Sequence, residues 1–200
     1  YFFVHISNLD LMAHEYGPNS YEYSAELSAI SYLLNKELIE KINPKTAKET
    51  LFLVTADHGG VDVVPENTTF LNGFPDVIEN LRCDKSGKPI LPTGSHRDVF
   101  LHVKDKKLTE TKELLSEIVG AKAKIVEAEQ AISDGLFGRG DVSSQFFDRV
   151  GNLLILPYRN ETVWFDHFKA FKYNPAGQHG GLNEKEMLVP FAMSRLSNLK

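Results

Sequence analysis

The chain has 200 residues, of which 42% are hydrophobic and 24% are charged, a composition typical of a globular protein. Its 22 basic and 27 acidic residues give a net charge of -5, which argues against a nucleic-acid-binding surface. No apolar run is long enough to cross a bilayer, so we predict no membrane segment in these residues. The single cysteine, Cys83, excludes an intrachain disulfide framework.

The first part of the chain alternates between apolar runs and a helical pattern. Residues 1–7 are apolar, aromatic and β-branched, which predicts a strand buried on both faces. Residues 8–20 are polar and rich in turn formers. Apolar residues then recur at steps of three and four over residues 23–38, as on one face of an amphipathic helix. Residues 50–56 are a second apolar run, and this strand–helix–strand order predicts two parallel strands.

The rest of the chain resumes the alternation after an irregular stretch. Residues 61–94 are rich in Pro, Asn, Gly and Asp without a sustained period, which predicts a cap or insertion over the active-site face. The whole order predicts the α/β fold class, with a mostly parallel sheet between helices. The later predicted elements are strands at 98–103 and 124–126, helices at 109–119 and 128–136, and a hairpin formed by 152–157 and 161–165.

Three short segments contain residue types that bind metal ions. Asp10 and His14 are four residues apart, so on a helical turn they share one face and can both reach one cation. Asp57 and His58 directly follow the second apolar run. His179 lies between glycines in the segment GQHGG, where small neighbours leave room for a metal ion or a substrate. These five residues are the candidate metal ligands.

The positions of the motifs favour one shared site. Ligands of doubly wound sheets gather beyond the carboxyl ends of strands, and both Asp10 and Asp57 follow a predicted strand. Adjacent residues of a strand point in opposite directions, so Asp57 and His58 reach one site only where the backbone bends, which Gly59 and Gly60 permit. Each candidate also has a structural alternative, as a helix-capping aspartate or as a surface or loop histidine.

Three motifs carry a resemblance to a known family. The type I phosphodiesterase/nucleotide pyrophosphatase branch of the alkaline phosphatase superfamily has motifs that are similar to LDLMAHEYGP, TADHGG and GQHGGLNEKEMLVPF of this chain. They occur in the family order and span residues 8–191. The resemblance implies an alkaline-phosphatase-like fold and a small phosphate ester as the substrate. It also implies two divalent metal ions, for which zinc is usual and manganese is an alternative.

The resemblance assigns the candidate ligands to two ions. Asp10, His14 and His179 would hold one ion, and Asp57 and His58 would hold the other. Mixed sets of aspartate and histidine also suit zinc on chemical grounds. The first set has the three protein ligands typical of a catalytic metal, whereas the second set is one ligand short.

The missing parts are expected upstream of this chain. In the family, a further aspartate and the Thr or Ser nucleophile come from a segment N-terminal to the position of Tyr1, and this chain begins inside a predicted strand. We therefore expect residues 1–200 to be the C-terminal portion of one catalytic domain, without a nucleophile of its own. The full-length protein is expected to be a metal-dependent hydrolase, and the chain alone is expected to be inactive.

The function implied by the resemblance is hydrolysis of phosphodiesters or nucleotide pyrophosphates through a covalent phosphoryl-enzyme. Three other reactions use the same scaffold and stay open: phosphomonoester hydrolysis, sulfate-ester hydrolysis and a phosphoglycerate-mutase-like transfer. An alternative of another class is a non-catalytic interaction domain that keeps a metal ion for stability. The upstream sequence distinguishes these classes, because an enzyme needs its nucleophile there.

Arg97 is a weaker candidate, for contact with the substrate. It lies in the segment TGSHRD, between the irregular stretch and the next predicted strand. An arginine in such a place can hold a phosphate group with two parallel hydrogen bonds. The alternative is a structural contact with Asp98 or with the backbone.

Overall fold

The structure is a computed structural model that describes residues 1–167 and 174–200. A π-helix at Leu34–Ile39 continues the second α-helix directly. The α-helices are α1 (Asn8–Tyr16), α2 (Tyr21–Leu33), α3 (Pro44–Glu49), α4 (Pro75–Glu79), α5 (Leu108–Val119), α6 (Ala128–Ser133), α7 (Ser144–Val150) and α8 (Glu184–Met187). The strands are β1 (Leu51–Thr55), β2 (Val61–Asp62), β3 (Thr69–Phe70), β4 (Thr93–Ser95), β5 (Asp98–Leu101), β6 (Ala123–Glu127), β7 (Leu153–Pro157), β8 (Val163–Trp164), β9 (Gly177–Gln178) and β10 (Phe191–Arg195).

The chain divides into two compact units, of which the first is built from three stretches of sequence. These stretches are Tyr1–Asp62, Pro175–Gln178 and Glu184–Lys200. Within this unit β1 pairs with β10 and β2 pairs with β9, both antiparallel. The second ribbon is only two residues long, with Val61 opposite Gln178 and Asp62 opposite Gly177.

Two helices of the first unit begin where the sequence supplies capping side chains. The Ser20 hydroxyl accepts a hydrogen bond from the Tyr23 N–H at 3.1 Å, and the Asn43 side chain accepts one from the Lys45 N–H at 2.8 Å. Pro44 lies in the first turn of α3, where its fixed φ suits the helix and its missing N–H has no partner to lose. Each such cap stabilises its helix by about 1 kcal/mol.

Apolar side chains of the first unit are widely exposed among the described residues. On the β1–β10 ribbon, Leu51 is 60% exposed and Phe191 is 69% exposed. Helix α2 has no buried residue. These apolar faces of the first unit are therefore not covered by other described residues.

The second unit consists of Val63–Asn174 and His179–Asn183. Its main sheet has four antiparallel strands in the order β4-β5-β7-β6. Every residue of β7 is buried, because this strand is central in the sheet and covered on both faces. The core of the unit is formed by side chains from this sheet and from α5, including Val99, Leu101, Leu115, Val119, Leu153 and Ile155.

Several predicted elements are confirmed. The helix predicted over residues 23–38 is present as α2 and the π-helix that follows it. The predictions for β1, β5, α5, β6 and α6 are also correct to within a few residues. No helix in the described part of the chain is long and apolar enough to cross a membrane.

The prediction of a buried strand at residues 1–7 is wrong. These residues form no strand, and Tyr1 and Phe2 are 109% and 98% exposed. A strand is stable only where a neighbour pairs with its N–H and C=O groups, and no described residue does so here. The following stretch, polar and rich in turn formers, contains α1, in keeping with the helical turn considered for Asp10 and His14.

The predicted strand partners are also wrong. Strand β1 pairs antiparallel with β10, and the only parallel pair among the described residues is β3 with β8. The sheet is therefore not mostly parallel in this part of the chain. Strands β7 and β8 exist as predicted but form no hairpin, because β7 pairs with β5 and β6 while β8 pairs with β3. Apolar runs identify strands but not the strands they pair with.

The stretch predicted to be irregular, 61–94, contains short regular elements. Strands β2 and β3 and helix α4 lie in it, and β4 begins at its end. From Val63 onward it belongs to the second unit, which continues to Asn174 before the chain returns to the first unit. That this stretch caps an active-site face stays a prediction.

Candidate metal centre

Helix α1 brings Asp10 and His14 together on one face. The distance from Asp10 Oδ1 to His14 Nε2 is 3.6 Å, and the side chains are 48% and 21% exposed. Any two ligand atoms of a tetrahedral zinc ion, each 2.0–2.1 Å from the ion, lie about 3.3 Å apart. The pair is therefore within a few tenths of an ångström of the spacing that a shared zinc ion requires.

The other ring nitrogen of His14 is engaged by the backbone. His14 Nδ1 lies 2.9 Å from the carbonyl oxygen of Gly177. A carbonyl oxygen can only accept, so Nδ1 carries the proton and donates it to this bond. The lone pair of the neutral ring then lies on Nε2, the atom that faces Asp10. A ligating histidine typically has such a partner for its second nitrogen.

A close approach of α1 to β9 makes this bond possible. The Ala176 N–H donates to the His14 carbonyl oxygen at 2.8 Å, so two hydrogen bonds join His14 to this strand region. A Cβ atom on Gly177 would lie 2.2 Å from the carbonyl oxygen of Ala13. Glycine is therefore required at 177, because any side chain would push α1 away from the strand.

His179 lies two residues beyond Gly177 and directly follows Gln178, the last residue of β9. His179 belongs to the second unit, and its convergence with Asp10 and His14 of the first unit stays a prediction. Two imidazoles and one carboxylate are a donor set that zinc accepts, with a fourth position left for water or substrate. By residue type alone, the three residues match the ligand set of a catalytic zinc ion.

Asp57 and His58 follow β1 as a second pair. Asp57 Oδ2 lies 3.8 Å from His58 Nε2, and the Asp57 side chain is 77% exposed. The His58 ring is oriented by its Nδ1, which is 2.9 Å from the carbonyl oxygen of Gly59. The pKa of Asp57 lies below its usual value because its own backbone N–H donates to the carboxylate, aided by the nearby His58. This pair supplies two donors, one fewer than a catalytic zinc ion usually has.

The glycine after this pair has a different role from the one predicted. Neither Gly59 nor Gly60 has a positive φ, so the bend at Asp57 does not depend on their backbone freedom. A Cβ atom on Gly59 would instead lie 2.0 Å from the carbonyl oxygen of Lys185. The Gly59 N–H also donates to the Glu186 carbonyl oxygen at 2.8 Å. Gly59 is therefore required for close packing against α8.

Arg97 is completely buried, with 0% of its surface exposed. Its Nη1 donates to the backbone carbonyl oxygen of Glu161. Both lie in the second unit, where the Arg97 N–H also donates to the Ser95 hydroxyl at 3.2 Å. These contacts support the structural alternative for Arg97. Its contact with substrate stays a prediction.

The sequence did not point to Gly177 or to Asp62, which pairs with it across the β2–β9 ribbon. Gly177 acts on His14 through a backbone carbonyl, a group that every residue has. Asp62 accepts a hydrogen bond from the Asn19 side chain, in the turn after α1. The spacing of the motifs gives no sign of either contact.

Comparison with known proteins identifies the family. A family model described as type I phosphodiesterase/nucleotide pyrophosphatase matches residues 1–182. The chain belongs to this family. The resemblance of its three motifs to this branch of the alkaline phosphatase superfamily is thereby confirmed. A search of the curated proteins found no match.

Several solved structures are similar to this chain in fold. One is murine ectonucleotide pyrophosphatase/phosphodiesterase 5, an inactive threonine-to-alanine variant in complex with AMP, with a TM-score of 0.64 and 16% identity over 92% of this chain. The human protein of the same name has a TM-score of 0.60 and 18% identity, also over 92% of this chain. Phosphonoacetate hydrolase from Sinorhizobium meliloti 1021, in complex with phosphonoformate, has a TM-score of 0.58 and 19% identity over 92% of this chain.

These likenesses show the alkaline-phosphatase-like α/β fold and confirm the predicted fold class. They also show how much of that fold the chain contains. The match covers 44% of the murine and human chains and 43% of the phosphonoacetate hydrolase chain. This chain of the phosphodiesterase family thus spans less than half the length of these three structures.

Proposed function

We propose that the protein containing this chain hydrolyses phosphodiesters or nucleotide pyrophosphates at a centre of two divalent metal ions. The observation that carries the proposal is the pairing of Asp10 with His14 on one face of α1, in a chain that belongs to a phosphodiesterase family. Zinc is the proposed ion because the ligands are carboxylate and imidazole, and manganese is the alternative.

Two ions in such a centre would supply positive charge to the attacking and leaving oxygens of an in-line displacement. The residues of this chain would hold and orient that charge. Asp10 offers a carboxylate oxygen, and His14 offers a neutral Nε2 because Nδ1 donates to Gly177. The chain carries a net charge of -5, so local charge at the centre would be needed to attract an anionic ester.

For the second ion, Asp57 and His58 are the proposed ligands, with one more ligand supplied by residues outside these 200. The nucleophile is proposed to be a Thr or Ser hydroxyl, also outside them. In support, the murine relative is described as inactive when a threonine is replaced by alanine, and it is seen with AMP, a small phosphate ester. A small nucleotide-like ester is therefore the proposed class of substrate here.

The test is a comparison of ester substrates with the full-length protein loaded with zinc. We expect bis-p-nitrophenyl phosphate to be hydrolysed with a higher kcat/KM than p-nitrophenyl phosphate or p-nitrophenyl sulfate. Asp57→Asn should abolish this activity, because it removes the charged member of the two ligands that this chain is proposed to supply to the second ion. A matched control is Asp84→Asn, an exposed aspartate in the second unit.

Other orders of kcat/KM among these esters would contradict the proposal, each in a different way. Preference for the monoester or the sulfate ester would assign the scaffold to one of the alternative reactions. Tight zinc binding with no hydrolysis of any ester would favour the non-catalytic domain. Hydrolysis that Asp57→Asn leaves unchanged would exclude the second ion from the reaction.

A further inference from the structure

Asp62 joins the turn after α1 to the β2–β9 ribbon within the first unit. It is the last residue of β2, four residues after His58, and it pairs with Gly177 of β9. Gly177 in turn precedes His179 by two residues. The turn that follows α1 touches Asp62 through its side chain. Asp62 thus contacts both the turn after α1 and strand β9 of the first unit.

Both carboxylate oxygens of Asp62 lie against the turn after α1. Its Oδ2 accepts a hydrogen bond from Asn19 Nδ2. Its Oδ1 lies so close to Gly17 that a Cβ there would be 2.6 Å away. Gly17 ends α1 with a φ of 94° and donates its N–H to the Ala13 carbonyl oxygen at 2.9 Å. The C-terminal end of α1, the helix that carries Asp10 and His14, therefore packs against this carboxylate.

The backbone of Asp62 pairs with β9, whereas its side chain contacts the turn after α1. Pairing with Asp62 fixes Gly177, and the Gly177 carbonyl oxygen is the acceptor for His14 Nδ1 at 2.9 Å. The side chain of Asp62 fixes the turn after α1, and its strand fixes the acceptor that orients His14. A shift of either part relative to the other would lengthen the His14–Gly177 bond.

We propose that Asp62 is a positioning residue of the metal centre. It holds the turn after α1 against the β2–β9 ribbon, and so keeps His14 in the register in which Nδ1 donates to Gly177 and Nε2 faces the ion. This inference rests on the proposed metal centre but concerns a residue outside its ligand set. Loss of a partner that orients a ligand typically weakens metal binding by 10–100-fold.

The test measures zinc affinity of the full-length protein by competition with a chelating dye at pH 7. Asp62→Ala is expected to weaken binding about tenfold, and Asn19→Ala should do the same because it removes the other half of the bond. The double variant should be no weaker than either single one, since both delete one interaction. Asp62→Asn should restore most of the affinity, because its amide oxygen still accepts from Asn19.

Two further measurements separate positioning from general stability. Nitrogen-15 NMR of the histidine rings in the metal-free protein should show His14 protonated on Nδ1 in the natural protein and in Asp62→Asn, and a mixture of tautomers in Asp62→Ala. Glu22→Ala, an exposed acidic residue of α2, is the matched control and should change neither quantity. The Asn19 side chain is exposed, so Asn19→Ala should fold and can be used for the test if Asp62→Ala does not fold.

Zinc affinity and His14 tautomer unchanged in both Asp62→Ala and Asn19→Ala would overturn the proposal. Additive losses in the double variant would also overturn it, because the two side chains would then act separately. If the natural protein binds no zinc, the metal centre fails together with this inference. If the natural protein binds zinc and the variants match it, only the role of Asp62 fails.

Discussion

We expect the 200-residue chain, purified alone and supplied with zinc, to bind about one ion tightly and to hydrolyse neither a phosphodiester nor a phosphomonoester above free zinc. The proposed first ion has three ligands, Asp10, His14 and His179. Asp57 and His58 offer only two donors, so the second ion should bind weakly. Without the proposed Thr or Ser nucleophile, no covalent intermediate can form. The loss relative to the full-length protein should be several orders of magnitude.

The assay for this prediction uses bis-p-nitrophenyl phosphate and p-nitrophenyl phosphate, with bound zinc counted in the same samples. The full-length protein is the positive control, because inactivity of the chain is informative only beside an active counterpart. Hydrolysis by the chain alone that disappears in Asp57→Asn would contradict the prediction. It would show that an activated water or a nucleophile exists within these residues.

The second large effect is expected from His14→Ala, which should weaken zinc binding by more than about a hundredfold. Loss of a partner that merely orients a ligand costs 10–100-fold, so loss of the ligand itself should exceed that range. His14 Nε2 lies 3.6 Å from Asp10 Oδ1, and Nδ1 is already occupied by Gly177, so no other nitrogen of this ring can replace it. Equilibrium dialysis against zinc measures the affinity directly.

His102→Ala is the control for this substitution, because His102 lies in the second unit and belongs to no predicted ligand set. It should change zinc affinity by less than about twofold, which is far smaller than the loss expected when a ligand is removed. Equal losses in both variants would contradict a specific role for His14. They would point to unfolding of the chain or to zinc bound at scattered histidines.

The local part of the site could be predicted from the sequence. Asp10 and His14 are four residues apart, and the 3.6 Å between their ligand atoms follows from that spacing on a helix. Asp57 and His58 follow an apolar run that does form β1. These predictions depend on neighbours in sequence, whose geometry the backbone period determines.

The parts that depend on distant residues could not be predicted. The partner of β1 is β10, about 140 residues later, and nothing in an apolar run specifies which strand it pairs with or in which direction. Residues 1–7 have the pattern of a buried strand but have no partner among the described residues. The Gly177 carbonyl and the Asp62 carboxylate likewise act across long sequence separations.

The proposed metal centre at Asp10, His14 and His179 is tested most directly by zinc K-edge X-ray absorption on the chain loaded with one equivalent of zinc. We predict a shell of nitrogen and oxygen at 2.0–2.1 Å, with the multiple-scattering pattern of two imidazoles. In His179→Ala the pattern should fall to one imidazole. A sulfur shell at about 2.3 Å, from Cys83, would contradict this centre, as would a spectrum that His179→Ala leaves unchanged.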